Sequence, residues 1–216
     1  CDDSIDFDEL NTALEQYLGL ELIEHTIKRC VLRNVADSLD QEFDVLFRKI
    51  FLMNQVMGQD IFDALSSPHS KKIEAIEKME RTNNKLVNLC FRILNKSNKM
   101  GDGTKIRYAV VLSCMENIAD HYRDLCVLLR KNTFSGNINN IKSFFTQLLH
   151  HYLVISTLHF KFDEASLLQA RNTRKKLITD SQELLMQMDT YQASILHYLT
   201  SVLNQLKDVE LNIELG

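Results

Sequence analysis

From Met100 to Lys131 the chain reads MGDGTKIRYAVVLSCMENIADHYRDLCVLLRK, a glycine-bearing loop followed by a long amphipathic run. Tyr108, Val111, Leu112, Met115, Ile118, Tyr122, Leu125 and Leu129 recur at intervals of three and four residues, the period of an α-helix with one apolar stripe. No Gly or Pro falls between Thr104 and Lys131, so nothing in the run breaks a helix. The same period extends in both directions. Upstream, Ser38 can cap a helix while Gln41 reaches back to it, and Phe43, Leu46, Phe47, Ile50, Met57 and Ile61 form the stripe. Ser67-Pro68 closes that helix and opens a second to about Lys96, with Ile73, Ile76, Val87, Phe91 and Leu94 inside.

Downstream, Phe134-Ser135-Gly136-Asn137 is the second clear break. Three further helices are predicted over 138–160, from Asp163 to about Met188, and from about Tyr191 to Glu214. The first of these carries Ile141, Phe145, Leu148, Tyr152 and Ile155; the last carries Ile195, Tyr198, Leu199, Val202, Leu206 and Val209. Short connections make neighbouring helices antiparallel. Ahead of the helical region, Asp8 to Leu18 reads as a short amphipathic helix. Leu20 to Val35 changes period, with His25-Thr26 as a turn, which predicts a small β-hairpin. The expected fold is therefore all-α: two tandem three-helix bundles of long antiparallel helices at 38–131 and 137–216, preceded by a 1–37 connector.

Composition agrees. Average usage would place about 26 Gly and Pro residues in a chain of this length; the 216 residues hold six Gly and one Pro, which disfavours sandwiches, barrels and α/β folds. A hydrophobic fraction of 45% and a charged fraction of 25% describe an ordinary domain with a real core. The 25 basic and 29 acidic residues leave a net charge of −4, so direct nucleic-acid binding by this stretch is not expected. The longest apolar-looking stretch, Phe144 to Phe162, is interrupted by Gln147, His150, His151, His159 and Lys161, so no membrane span is predicted. The five cysteines, Cys1, Cys30, Cys90, Cys114 and Cys126, form no C-x-x-C pair; they read as buried reduced thiols of a cytoplasmic protein. A chain opening on Cys1 reads as a fragment or processed product.

Chemistry is concentrated in two polar intrusions. On the second helix Glu80 and Asn84 stand, one turn apart, where apolar residues are expected. On the third, Glu116, Asp120 and Asp124 stack at i, i+4 and i+8 beside the apolar stripe. Stacked carboxylates repel, and near a core that repulsion needs a compensating cation. An antiparallel pair of helices can bring Glu80 and Asn84 opposite Glu116 and Asp120, an oxygen-rich set for a hard metal cation. Arg123, with Arg81 and Lys85 on the second helix, can equally neutralise the ladder by ion pairing, and spacing alone favours that outcome.

No enzyme is expected. None of the seven histidines follows a Glu by three residues, so the ferritin-type di-iron motif is absent, and no H-E-x-x-H, Walker A, G-x-G-x-x-G or G-x-S-x-G occurs. His150-His151 reads as bundle surface or edge, because adjacent helical residues diverge by about 100°. Arg171, Arg174, Lys175 and Lys176 read as a solvated basic face.

The segment Met115-Glu116-Asn117-Ile118-Ala119-Asp120-His121, on a helix paired with one carrying Glu80-Arg81-Thr82-Asn83-Asn84, resembles the acidic signatures of the PhoU phosphate-uptake regulators. Tyr17 to Glu24 and the Lys28 to Asn34 strand resemble the connector of the archaeal branch, in which an AbrB-type DNA-binding domain precedes the PhoU region; that domain is absent from this sequence. The similarity covers nearly the whole chain, strongest over 17–130 and weak after 137. It implies two three-helix bundles in a cytoplasmic, homo-oligomeric negative regulator of phosphate uptake. The implied partners are a phosphate-transporter ATPase or a sensor kinase, with transcriptional control through the missing domain. It also implies a divalent or iron-type metal at Glu80, Asn84, Glu116 and Asp120. Two departures matter. Asn84 stands where the family favours Asp, and aligning Leu206 with Met115 puts Lys207 and Leu211 at the acidic positions of the second half, so at most one metal site per chain is expected. The competing expectation is a helical scaffold or dimerisation module whose acidic ladder is purely structural.

Overall fold

The structure, a computed structural model, describes residues 20–26, 29–34, 42–65, 71–98, 100–131 and 138–214. The expected Asp8–Leu18 helix, the Ser38 cap with Gln41, and the Ser67-Pro68 and 134–137 breaks lie outside the described residues. Six long helices dominate what is described: α1 (Phe43–Ala64), α2 (Lys71–Lys96), α3 (Asp102–Lys131), α4 (Asn139–Phe160), α5 (Glu164–Leu185) and α6 (Thr190–Glu214). Ahead of them the backbone of β1 (Leu20–Thr26) pairs antiparallel with β2 (Arg29–Asn34), with a register shift between Leu22 and Glu24.

The helix stripes behave as their spacing demands. Ile50, Met57 and Ile61 on α1, Ile73, Ile76 and Val87 on α2, and Val111, Met115, Ile118 and Leu125 on α3 are buried. So are Ile141, Phe145, Leu148 and Ile155 on α4, with Leu199, Val202, Leu206 and Val209 on α6, and all join one continuous core. α5 buries only Leu167, Ala170, Leu177 and Ser181. It starts where the sequence places it. The Asp163 side chain accepts from the Ser166 backbone N–H at 2.8 Å, the N-cap geometry that satisfies an otherwise orphaned helix donor. It ends at Leu185, three residues short of the expected Met188.

Side-chain contacts fix the helix directions. Asn54 meets Asn83, and Lys72 pairs with Asp60 and Asp63, so α1 and α2 run antiparallel. Arg123 reaches Glu80 while Arg130 reaches Glu77, so α2 and α3 do the same. The ring of Phe62 lies against Phe145 and that of Phe47 against Phe160, which makes α4 antiparallel to α1. α1, α2 and α3 all contact one another, as do α4, α5 and α6; α3 also packs along α6, and α1 along α4.

Two features lock these contacts. The Tyr152 hydroxyl on α4 donates to the Phe51 carbonyl on α1 at 2.8 Å, deep in the core. Gly58 on α1 lets α3 and α4 approach closely: a Cβ there would stand 2.8 Å from both the Tyr122 hydroxyl and Leu149 Cδ2. Cys90, Cys114 and Cys126 are buried free thiols, as expected of them, and burial pushes them up to about 12, 11 and 12 respectively. Among the described residues no helix is long and apolar enough to cross a membrane.

Candidate functional site

The acidic ladder sits where α2 and α3 face each other, and it is closed by a cation of its own. Glu80 is only 5% exposed. Its Oε1 accepts from Asn84 Nδ2 at 2.6 Å and from Arg123 Nη1 at 3.1 Å. The same Arg123 nitrogen donates to Asp120 Oδ1 at 2.8 Å, and its Nε and Nη2 both donate to Asp124 Oδ1, at 3.1 and 3.0 Å. One guanidinium therefore serves three carboxylates from two helices, and its planar fork matches that task better than a lysine would. Arg123 follows Asp120 by three residues and precedes Asp124 by one, and its long side chain reaches both acids along α3.

Of the four residues singled out in the sequence, Glu80, Asn84 and Asp120 belong to this network. Glu116 stands a turn away on α3, half-buried. Burial first, then the charges of Asp120 and Glu80, push its carboxyl above the usual carboxylate range. Glu80 is also raised: its burial outweighs the pull of Arg123, with Asp120 adding to the rise. Among the described residues no group of three or more His, Cys, Asp or Glu side chains is placed to hold a metal ion. The Asn84 amide nitrogen donates to Glu80, and among the described residues its Oδ1 is buried without a hydrogen-bond partner. In this arrangement the guanidinium of Arg123 holds the space between the Glu80, Asp120 and Asp124 carboxylates.

Because Glu116 gains only repulsion from its neighbours, removing its charge stabilises the fold. A Glu116→Gln chain should be more stable at neutral pH by about 0.5 kcal/mol, a few tenths for each like-charge neighbour relieved. The sign follows from the raised folded-state value. The folded carboxyl holds its proton to a higher pH than the unfolded one, so its ionisation costs stability as pH rises through that window. Below the window the variant and the parent converge. Thermal unfolding at neutral and at acid pH checks both halves; equal stability at neutral pH would mean that the ladder is screened by solvent.

Three inward-facing polar features escape the spacing argument. Asn83, not Asn84, is the fully buried amide of α2; it accepts from Asn54 Nδ2 of α1 at 3.3 Å. The stripe through Ile73, Ile76, Glu80 and Val87 passes between positions 83 and 84, and one residue is about 100° of rotation. The basic run on α5 is not wholly a solvated face. Arg174, with a side chain 14% exposed, clasps the 1% exposed Glu210 of α6 through Nε at 3.1 Å and Nη2 at 3.3 Å, and Arg171 Nε lies 3.6 Å from the same carboxylate. The run does hold an anion, and the anion is internal. His151, expected at the surface or edge, is 1% exposed, with neither ring nitrogen bonded among the described residues. Burial first, then the charges of Arg174 and His150, hold it down to about 4.

Two buried carboxylates are thus each clasped by arginine between consecutive helices, with the charges exchanged. Glu80 on α2 takes Arg123 from α3, whereas Arg174 on α5 takes Glu210 from α6. The clasps bind helix to helix. No protein-family model matches the sequence, and no curated protein matches it significantly.

Proposed function

We propose that this chain is a non-enzymatic regulator that acts by protein–protein contact, of the phosphate-uptake kind, built from two tandem three-helix units and using its acidic motif as an internal strut. The observation that supports it most is the packing order. α1 to α3 contact one another, α4 to α6 contact one another, and the two sets are joined along α3–α6 and α1–α4. That is the order expected of two tandem units, and the acidic motif falls at the α2–α3 contact, where the resemblance to the PhoU regulators implies it. The link to phosphate rests on that resemblance. A small β1–β2 hairpin ahead of the helices, a cytoplasmic location and a homo-oligomer belong to the same proposal, as does control of a promoter through an AbrB-type domain outside this sequence.

The direct test is binding of the purified chain to the ATPase subunit of a phosphate transporter, and to a phosphate-responsive sensor kinase, from the same cell. A saturable complex with either supports the regulator; no complex with either leaves a scaffold or dimerisation module, and the phosphate link falls. A second measurement addresses the strut. Elemental mass spectrometry of the purified chain should find far less than about one equivalent of any transition metal, because a metal at Glu80, Glu116 and Asp120 would have to displace Arg123. About one equivalent, lost in a Glu116→Ala/Asp120→Ala chain, would return the motif to metal binding.

A further inference from the structure

The solvent side of α1 carries a seam that the fold itself does not use. Val45, Lys49, Leu52, Val56, Gln59 and Asp63 are all exposed, and they recur at intervals of four and three residues. That is the a/d spacing by which one helix packs along another, and it holds all six within an arc of about 80°. The other side of the helix is already committed to the core through Phe47, Ile50, Met57 and Ile61. Leu52 and Val56, at the middle of the seam, are 60% and 50% exposed. The contacts of Phe62 with Phe145 and of Phe47 with Phe160 bring Leu153 of α4 level with Asn54, between those two residues, and Leu153 is itself 41% exposed. A groove of about 420 Å³ runs beside them, with Phe51, Leu52, Gln55, Leu153 and Ser156 in its walls. Apolar exposure is thus concentrated at the centre of the seam. Charge flanks it, with Arg48 and Lys49 on one side and Asp60 and Asp63 on the other. Asp44 stands about 100° round from Val45 and acts on Tyr108 of α3 instead.

We propose that this face takes a second copy of the chain, α1 against α1, antiparallel about a two-fold axis at Asn54. In that register Leu52 packs on Val56 of the partner subunit, and the same contact repeats across the axis, the self-complementarity that a two-fold interface requires. Leu153 widens the apolar centre from the α4 side. Charge sets the direction. The register places Arg48 opposite Asp60 of the partner subunit, and Lys49 opposite Gln59 of the partner subunit. A parallel pair would instead set the basic ends together and the acidic ends together, which repels. Asp60 and Asp63 already share Lys72, but two carboxylates and one ammonium leave a negative charge for the partner. Arg48 lies over Phe160 at 4.2 Å; a guanidinium that stacks through its face still donates through its edge. Lys49 interrupts the apolar part of the seam, and a lone charged residue at such a position fixes register at a cost in affinity. The apolar centre is small, so the dimer belongs at the weak end of specific interfaces. The inference rests on the regulator reading only for the expectation of a homo-oligomer; the face and the direction come from α1 and α4.

Sedimentation equilibrium of the full chain up to about 300 µM reads the association, and a monomer–dimer equilibrium with a Kd below about 100 µM is expected. Leu52→Glu with Val56→Glu, both at exposed positions, should weaken it at least about tenfold. Lys49→Glu should weaken it about tenfold at low salt, by adding an acid opposite the acidic end of the partner. Adding Gln59→Lys to that chain should recover most of the loss, because position 59 of one copy meets position 49 of the other. Circular dichroism and urea unfolding confirm that each variant folds. A chain that stays monomeric to about 300 µM overturns the proposal. If Leu52→Glu with Val56→Glu also destabilises that monomer, the face is covered by the same chain. A dimer indifferent to Leu52→Glu with Val56→Glu uses another surface, and one strengthened by Lys49→Glu is parallel; either result overturns the proposal. Binding to the transporter ATPase and to the sensor kinase is measured separately, so failure here leaves the regulator reading to its own test.

Discussion

Replacing Arg174 by alanine should lower the unfolding free energy by about 3 kcal/mol, the largest single-residue loss outside the apolar core. The cause is Glu210. Its carboxylate is 1% exposed, and the two-point clasp from Arg174 is the main compensation for taking that charge out of water. Without Arg174 a buried anion is left with Arg171 alone, 3.6 Å away and a third exposed, and it must either remain poorly paired or take up a proton. Both responses cost stability at neutral pH. An apolar double replacement, Arg174→Met with Glu210→Leu, should come within about 1 kcal/mol of the parent, because removing both partners removes the desolvation as well as the attraction. Urea unfolding of the three chains gives the comparison. A loss below about 1 kcal/mol in Arg174→Ala would mean that water reaches Glu210 and that the clasp is a surface ion pair.

This clasp also shows where sequence reading stops. The six helices were legible because each is a long, uninterrupted run with an apolar residue every three or four positions, and burial of one stripe is a strong, one-dimensional signal. Glu80, Asp120 and Arg123 were legible because they lie within one turn of such a stripe, so the α2–α3 pairing alone brings them together. Arg174 and Glu210 are 36 residues apart on α5 and α6, and α5 carries so weak a stripe that its rotation about its own axis is not set by spacing. Arg171, Arg174, Lys175 and Lys176 then look alike. In the structure Lys175 and Lys176 are exposed while Arg174 turns inward. The only local hint was Glu210 directly after Val209, an acid at the margin of the α6 stripe. The exchange of Asn84 for Asn83 has the same origin. A one-residue error in helix phase is small on the helical wheel but decides which amide meets Asn54.

Lowering the pH from neutral to about 5 should cost the folded chain about 4 kcal/mol, shared by His151 and His159. Both imidazoles are held down to about 4 in the folded state, whereas an unfolded histidine titrates near 6.5. Between those values the unfolded chain binds more protons than the folded one. Stability is therefore full above about pH 6.5 and falls as the pH drops toward 4, by roughly 2 kcal/mol per histidine at about pH 5. Neither ring has a cheap way to accept the charge. His151 lies in the core within the fields of Arg174 and His150, and His159 is stacked on Phe51 within the fields of Arg107 and Arg48. Glu80 and Glu116 work in the opposite direction, since their raised carboxyls take up protons earlier when folded and add stability as the pH falls. The two effects are separable by substitution. His151→Leu, which also removes two unpartnered nitrogens, should keep about 2 kcal/mol more of its neutral-pH stability at about pH 5 than the parent keeps, and Glu116→Gln should leave the histidine limb intact. Urea unfolding across this range, with the histidine Cε1–H resonances followed by NMR, reads slope and site together. If His151→Leu and the parent lost stability in parallel between about pH 6.5 and 5, the imidazole would be reached by water and protonated within the folded chain. The α4–α5 contact would then be an opening one, and the Arg174–Glu210 clasp beside it would be expected to loosen on the same pH scale.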